Sequence, residues 1–189
     1  MAIYHLHLKV IGRKSGSSAV ASAAYRSGSR LRDERLDRSQ DFSAKRGVVH
    51  SEVMLPENAP KAWSDRERLW NDVEAFEVRK DAQLAREVEF AIPREMSERD
   101  GFELARDFVR GEFVDRGMIA DLNVHWDIGA DGMPKPHAHV MLNHARGGRE
   151  RLWLEGAGLE PHRDGRALAR TLGRACQRAA GRARHRRAD

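Results

Sequence analysis

The 189-residue sequence predicts an α+β fold, a mostly antiparallel five-stranded sheet flanked by helices. Two observations carry that prediction. Five segments show the apolar–polar alternation or the short apolar run of a strand. Helical segments fall between and after them without a regular βαβ repeat, which argues against a doubly wound parallel sheet. A chain of this length fits a single domain, with room for a short appendage.

The first strand is IYHLHLKVI (3–11). Tyr4, Leu6, Leu8 and Val10 share one face and His5, His7 and Lys9 the other, so the first set is expected in the core. RKSGSS (13–18) reads as a loop, and SAVASAAYRSGSRL as an Ala-rich helix capped by Ser17 or Ser18. Residues 32–46 are dense in charge and read as a mobile connection. VVHSEVMLP (48–56) is the second strand. From Asn58 to Arg79, the spacing of Trp63, Leu69, Trp70, Val73, Phe76 and Val78 predicts a helix opened by Pro60. REVEFAIP (86–93) alternates Val88, Phe90 and Ile92 against Glu87 and Glu89, giving a third strand stopped at Pro93. SERDGFELARDFVRGEFVDRGM is an amphipathic helix with Ser97 as cap, Glu98 and Asp100 in its first turn, and Gly117 closing it. LNVHWDI (122–128) and HAHVMLN (137–143) are the last two strands, joined by the loop GADGMPKP.

Basic residues exceed acidic ones, 34 Lys+Arg against 29 Asp+Glu, which suits a polyanionic partner. The excess sits in the tail, where residues 151–189 carry ten arginines against four acids. Arg166, Arg170, Arg174, Arg178 and Arg182 recur every four residues, a slowly winding stripe if the segment is helical. Leu168, Leu172, Ala175 and Ala179 lie off that stripe and can dock the helix. A phosphate-contacting arm and a solvated terminal helix fit this pattern equally well. The expected organisation is a body over 1–150 and a basic helix or tail over 151–189, either DNA-contacting or the start of a linker. The single cysteine, Cys176, excludes an internal disulfide framework and a cysteine-based zinc cage, and fits a reducing cytoplasm. No apolar run approaches the roughly 20 residues of a membrane span, and MAIYHLHLKV lacks a signal peptide's apolar stretch, so membrane insertion is not expected.

The last two strands carry the chemistry. Asn123, His125 and Asp127 share one face of the first, and His137, His139, Met141 and Asn143 one face of the second. If the strands pair as a hairpin with their apolar sets toward the core, His125, His137 and His139 converge on the polar face. Three imidazoles gathered there would hold a metal ion and leave coordination positions open. Asp127 shares their face and could orient an imidazole, although a plain surface Asp fits the pattern as well. Glu87 and Glu89 lie on the polar side of another strand, where one could hydrogen-bond a ligating histidine. His5 and His7 form a second HxH pair without an evident third partner. Tyr25 lies among small residues that would leave its phenol accessible, although packing of an aromatic ring on the sheet explains it as well.

AIYHLHLKVIGRKSGSSAVASAAYRSGSRL, LAREVEFAIPREM and HWDIGADGMPKPHAHVMLN together resemble the MobA/MobL-type relaxases, including the amino-terminal domain of the TraA conjugation proteins. The likeness runs from residue 1 to about 145. PHAHVMLN is its strongest part, matching the histidine–hydrophobic–histidine signature of HUH endonucleases. The resemblance implies an HUH relaxase-type fold in a bacterial cytoplasm. It implies Tyr25 as nucleophile, His125, His137 and His139 as metal ligands, and Glu87 and Glu89 in the active site. It implies a divalent ion, Mg²⁺ or Mn²⁺; ligand softness alone would favour Zn²⁺. The implied substrate is single-stranded DNA at a plasmid origin of transfer, nicked with retention of the 5′ phosphate on tyrosine. Relaxosome accessory proteins and a type IV secretion coupling protein are the implied partners. Arg146, Arg149, Arg151, Arg166 and Arg170, with Trp153, are the expected DNA contacts.

Two other functions fit the same residues. One is a hydrolase using metal-bound water, with Tyr25 merely structural. The other is a non-catalytic DNA-binding module. A rolling-circle initiator would share the chemistry, but commonly places its tyrosine after the histidines.

Overall fold

The computed structural model describes residues 5–13, 16–144 and 164–185. In chain order the elements are β1 (Leu6–Gly12), α1 (Ala19–Ser27), β2 (Arg30–Asp33), β3 (Arg38–Asp41), β4 (Val48–Met54) and α2 (Arg66–Phe76). They continue with β5 (Gln83–Ala91), α3 (Glu98–Glu112), β6 (Met118–Ile128), β7 (Pro134–His144) and α4 (Asp164–His185). Five strands form one sheet in the order β1-β5-β7-β6-β4, and every pairing in it is antiparallel. This is the α+β architecture that the strand pattern predicts.

The sheet is covered on both faces. On one face, Val88, Phe90, Leu122, Val124, Val140 and Leu142 pack against Leu104, Phe108 and Val109 of α3 and Leu168, Leu172 and Cys176 of α4. On the other, Ile119 and Met141 lie beneath Val20, Ala23 and Ala24 of α1 and Leu69, Trp70 and Val73 of α2. The expectation of a polar, open histidine face therefore needs correction. Met141, which shares the row of His137 and His139, is fully buried, because α1 and α2 roof that half of the sheet.

Each helix start follows from its sequence. Ser18 caps α1 by accepting from the Ala21 N–H, Asp65 caps α2, and Ser97 caps α3. A tight 3₁₀ turn, Lys61–Ser64, precedes α2, so the helical pattern predicted over 58–79 is realised only from Arg66 to Phe76. Phe76, at the helix end, and Val78, beyond it, are exposed instead of joining the core. On the edge strand, Val10 is also exposed, against its predicted side.

Residues 32–46 are not a loose connection. β2 and β3 pair as a two-stranded antiparallel unit held by polar contacts. Asp33, fully buried, accepts from Ser18 Oγ (2.5 Å), from Gln40 Nε2 (3.2 Å) and from the Leu36 N–H. Asn71 and Glu67 of α2 bond the hairpin's backbone at Arg32 and Glu34.

Beneath α2, Asp121 accepts from Arg66 Nε and Nη2 (both 2.9 Å), from Trp70 Nε1 (2.8 Å) and from Asn123 Nδ2 (3.0 Å). Asp121→Ala would strand a nearly buried guanidinium and an indole N–H. It is expected to cost about 3–5 kcal/mol, the usual penalty for breaking a buried pair. The urea midpoint should fall with the slope unchanged; an unaltered midpoint would contradict the network's role in holding α2 on the sheet.

Candidate active site

The register brings the histidines together. On β6 and β7, His125 pairs directly with His137, and Asn123 with His139. The three ring centroids are 5.1, 4.9 and 5.0 Å apart, and one ligand nitrogen from each lies within 4.8 Å of the others. Strand β5 adds the acids, since Glu89 pairs with His139 and Glu87 with Met141.

Hydrogen bonds fix the rings. A carbonyl or carboxylate can only accept, so the nitrogen facing it carries the proton. His137 Nδ1 donates to the Lys135 carbonyl (2.9 Å), His139 Nδ1 to Glu87 Oε1 (2.8 Å) and His125 Nε2 to the Arg26 carbonyl (2.6 Å). In the neutral imidazoles this leaves a lone pair on Nε2 of His137, Nε2 of His139 and Nδ1 of His125. Burial pushes His125 down to about 4, against the pull of its bond to the Arg26 carbonyl, and the charges of Lys45 and the other histidines lower it further. It is therefore neutral at pH 7, as a metal ligand must be. Three imidazole donors, each held from behind, fit a divalent cation.

The two glutamates are not equivalent. Glu87 is buried and clamped bidentately by Arg26, Nε to Oε1 at 2.7 Å and Nη2 to Oε2 at 2.6 Å. Burial alone would raise its carboxyl, but the hydrogen bonds from His139 and Arg26 win and hold it at about 2. Glu89 is half-buried and bonds Lys9 Nζ (2.9 Å), with its nearer oxygen 4.0 Å from His139 Nδ1. Glu87, Glu89 and His139 form a second cluster with cation-binding geometry, although Arg26 and Lys9 already neutralise its acids. Asp127 stands 3.9 Å from His137 Nε2. Its Oδ1 lies where a side chain at Gly47 would project, and Gly47 holds φ +86°, a conformation that favours glycine. His5 and His7 stack on the exposed end of β1, on the histidine side of the sheet.

Tyr25 is on the last turn of α1 and is half-exposed. Small residues Ala19, Ala23 and Ala24 face the sheet and let the helix lie close to it. Phe42 meets the Tyr25 ring edge-on at 5.4 Å, and Lys45 Nζ sits 3.8 Å over its face while donating to the Tyr25 carbonyl (3.0 Å). Gly28, at φ +61°, ends the helix in the left-handed conformation. Tyr25 thereby shares its helix end with the carbonyl of Arg26 that meets His125.

Arg26, Lys45 and Phe42 went unread in the sequence. A signal existed for the first: a glutamate on a strand covered on both faces needs a cation, and α1 offers one beside the tyrosine. Arg166 and Arg170 are exposed on α4. That helix packs on α3 and β1, on the sheet face opposite the histidines. Tyr4, Arg146, Arg149, Arg151 and Trp153 lie outside the described residues. Among the described residues no helix is long and apolar enough to cross a membrane.

An antiparallel five-stranded sheet with histidines on adjoining central strands and helices on both faces is a relaxase-type fold. A solved structure reported as the molecular basis of vancomycin resistance transfer in Staphylococcus aureus superposes with a TM-score of 0.80 at 31% identity, over 96% of this chain and 94% of that one. The chain belongs to the MobA/MobL family, whose sequence model matches residues 17–182. Conjugal transfer protein TraA of Rhizobium radiobacter is 42% identical over 75% of this chain and 13% of its own length. Mobilization protein MobL of Acidithiobacillus ferridurans is 42% identical over 66% of this chain and 32% of its own. The 43 kDa relaxation protein of Salmonella typhimurium is 31% identical over 76% and 35%. The chain thus spans only a minor part of the length of these relatives.

Proposed function

We propose that this protein is a relaxase that nicks and rejoins single-stranded DNA at an origin of transfer, through a 5′-phosphotyrosyl intermediate on Tyr25. The observation that supports this reading is that Tyr25 and Arg26 are neighbours on the last turn of the first helix, and that the Arg26 carbonyl accepts from His125, one of three convergent imidazoles. A neutral phenol, whose reference pKa is about 10, is a weak nucleophile at pH 7. Tyr25 Oη forms a bond to phosphorus while the P–O3′ bond breaks. The phenol loses its proton and the leaving 3′ oxygen gains one. A phosphodiester is exchanged for another, so a 3′-hydroxyl can reverse the step and reseal the strand.

His125, His137 and His139 would hold the divalent ion, Mg²⁺ or Mn²⁺ in this reading, with Zn²⁺ suited to the nitrogen donors. The ion would withdraw charge from the non-bridging phosphate oxygens. Glu87 fixes the ring of His139, Glu89 lies at the margin beside Lys9, and Asp127 borders His137. Lys45, over the Tyr25 ring, adds positive charge where the phosphate must arrive. Arg166 and Arg170 meet DNA only if the strand rounds the β1 edge to reach α4, and Arg146, Arg149 and Arg151 complete the proposed contacts. Relaxosome proteins and a secretion coupling protein are the proposed partners, and the bacterial cytoplasm the proposed setting.

The test is incubation with end-labelled single-stranded transfer-origin DNA and Mn²⁺, then denaturing electrophoresis. A protein-linked band is expected, lost in EDTA and restored by Mn²⁺. A band fully retained in EDTA would refute the metal role, and metal-dependent cleavage without any linked protein would favour the hydrolase.

A further inference from the structure

Arg26, which the sequence pattern did not select, bonds Glu87 through its side chain and His125 through its backbone. Its guanidinium is committed on both sides. Nη1 donates to the Ser22 carbonyl one turn back on α1 (2.8 Å), while Nε and Nη2 clamp Glu87. Glu87 Oε1 in turn accepts from His139 Nδ1 (2.8 Å). The Arg26 carbonyl is one of the last in the helix, where carbonyls lack intrahelical partners, and His125 Nε2 supplies the missing donor at 2.6 Å. One residue therefore braces two of the three imidazoles, one through its side chain and one through its backbone. That residue is covalently next to Tyr25.

We propose that Arg26 is a positioning residue that couples metal binding at the three histidines to the placement of Tyr25. This rests on the histidines being the metal site of the proposed relaxase. The coupling has two arms. Through Glu87, Arg26 holds the His139 ring and tautomer, the task that outer carboxylates perform around metal-ligating histidines. Through its carbonyl, the helix end is tied to His125, so that ordering His125 also orders the turn bearing the tyrosine. Linkage then runs both ways: what the helix end contributes to metal affinity, bound metal returns to the helix end. Lysine cannot replace arginine here, because a single ammonium cannot span Ser22 and both Glu87 oxygens as the planar fork does.

A purely structural ion pair would be equally buried, so the control must be one. Arg13 Nη2 bonds buried Glu74 (2.6 Å), which also accepts from the Ala19 N–H at the opposite end of α1. Neither Arg13 nor Glu74 bonds a histidine of the site.

The experiment titrates the metal-free chain with Mn²⁺ alone by calorimetry, comparing wild type, R26A, R26K and R13A. The expected result is a loss of about 10–100-fold in Mn²⁺ affinity for R26A, a loss of at least ~10-fold for R26K, and a change within about twofold for R13A. In parallel, hydrogen–deuterium exchange should show Mn²⁺ protecting the backbone amides of 25–29 in wild type, and doing so in R26K only at the higher Mn²⁺ concentration its weaker binding requires, because the Arg26 carbonyl arm to His125 survives the substitution. R26K also serves as the readout if R26A does not fold. Wild-type affinity in both R26 variants, an equal loss in R13A, or no Mn²⁺ binding by the wild type would each overturn the proposal. DNA chemistry enters none of these measurements. Arg26-dependent Mn²⁺ binding in a chain that forms no DNA adduct would sink the relaxase reading and leave this one standing.

Discussion

Tyr25→Phe is expected to abolish the protein–DNA adduct while leaving DNA affinity within about twofold of wild type. The substitution removes one oxygen and nothing else from a half-exposed ring. The edge contact with Phe42 and the Lys45 ammonium over the ring face both survive. Stability should therefore stay within about 0.5 kcal/mol, as for most exposed positions away from special features. Chemistry should not survive, because the hydroxyl is the atom that bonds phosphorus in the proposed step. Labelled DNA on a denaturing gel reads the adduct, and fluorescence anisotropy with the same oligonucleotide reads binding. Cleavage that persists in Tyr25→Phe would assign the reaction to water and make the tyrosine structural. A retained adduct would move the nucleophile elsewhere.

The histidine cluster was legible because a strand's period of two is insensitive to the surroundings. Once β6 and β7 pair across their short loop, His125, His137 and His139 must lie on one face whatever covers it. What covers it was not legible. Reading the histidine face as an open polar surface assumed a sheet solvated on one side. Met141 in the histidine row and Ile119 on β6 were the trace of a second apolar layer, and both are buried under α1 and α2. The roof brings the C-terminal end of α1 to the histidine cluster, where the Arg26 carbonyl accepts from His125.

The β2–β3 hairpin escaped for a different reason. Apolar periodicity detects elements that bury greasy faces, and this one is held chiefly by buried polar side chains. Asp33 gathers Ser18, Gln40 and the Leu36 N–H, and Asn71 bonds the hairpin backbone. In sequence, such residues look like a solvated charge run. Lys45 and Phe42 follow that hairpin, so losing it hid two residues that frame Tyr25. The overrun at the end of α2 is simpler. Phe76 ends the helix and Val78 lies two residues beyond it, and both are exposed, so the apolar spacing there marks no core position.

Glu87→Ala should be the most damaging single change at the site for stability. It removes the only carboxylate that Arg26 bonds among the described residues, and leaves a mostly buried guanidinium uncompensated. Breaking such a pair from one side costs about 3–5 kcal/mol. The same change frees the His139 ring, which should weaken metal binding by about 10–100-fold. Acid sensitivity separates this from generic destabilisation. In the folded protein Glu87 is held at about 2, below its ordinary 4.5, so the folded state binds fewer protons than the unfolded chain between those values. Its contribution is present in full above about pH 4.5 and drains away as the pH falls toward 2. His125, lowered from 6.5 to about 4, acts in the same direction at higher pH, with stability lost as the pH falls from 6.5 to 4. Metal-free wild type should therefore lose stability in two overlapping stages on acidification. Glu87→Ala should retain the upper stage and lose the Glu87 share of the lower one. Urea midpoints at pH 7, 5.5, 4 and 3 would show this as converging curves for the two proteins. Parallel curves across the whole range would mean that the Arg26–Glu87–His139 chain does not hold the charge state the geometry assigns to it.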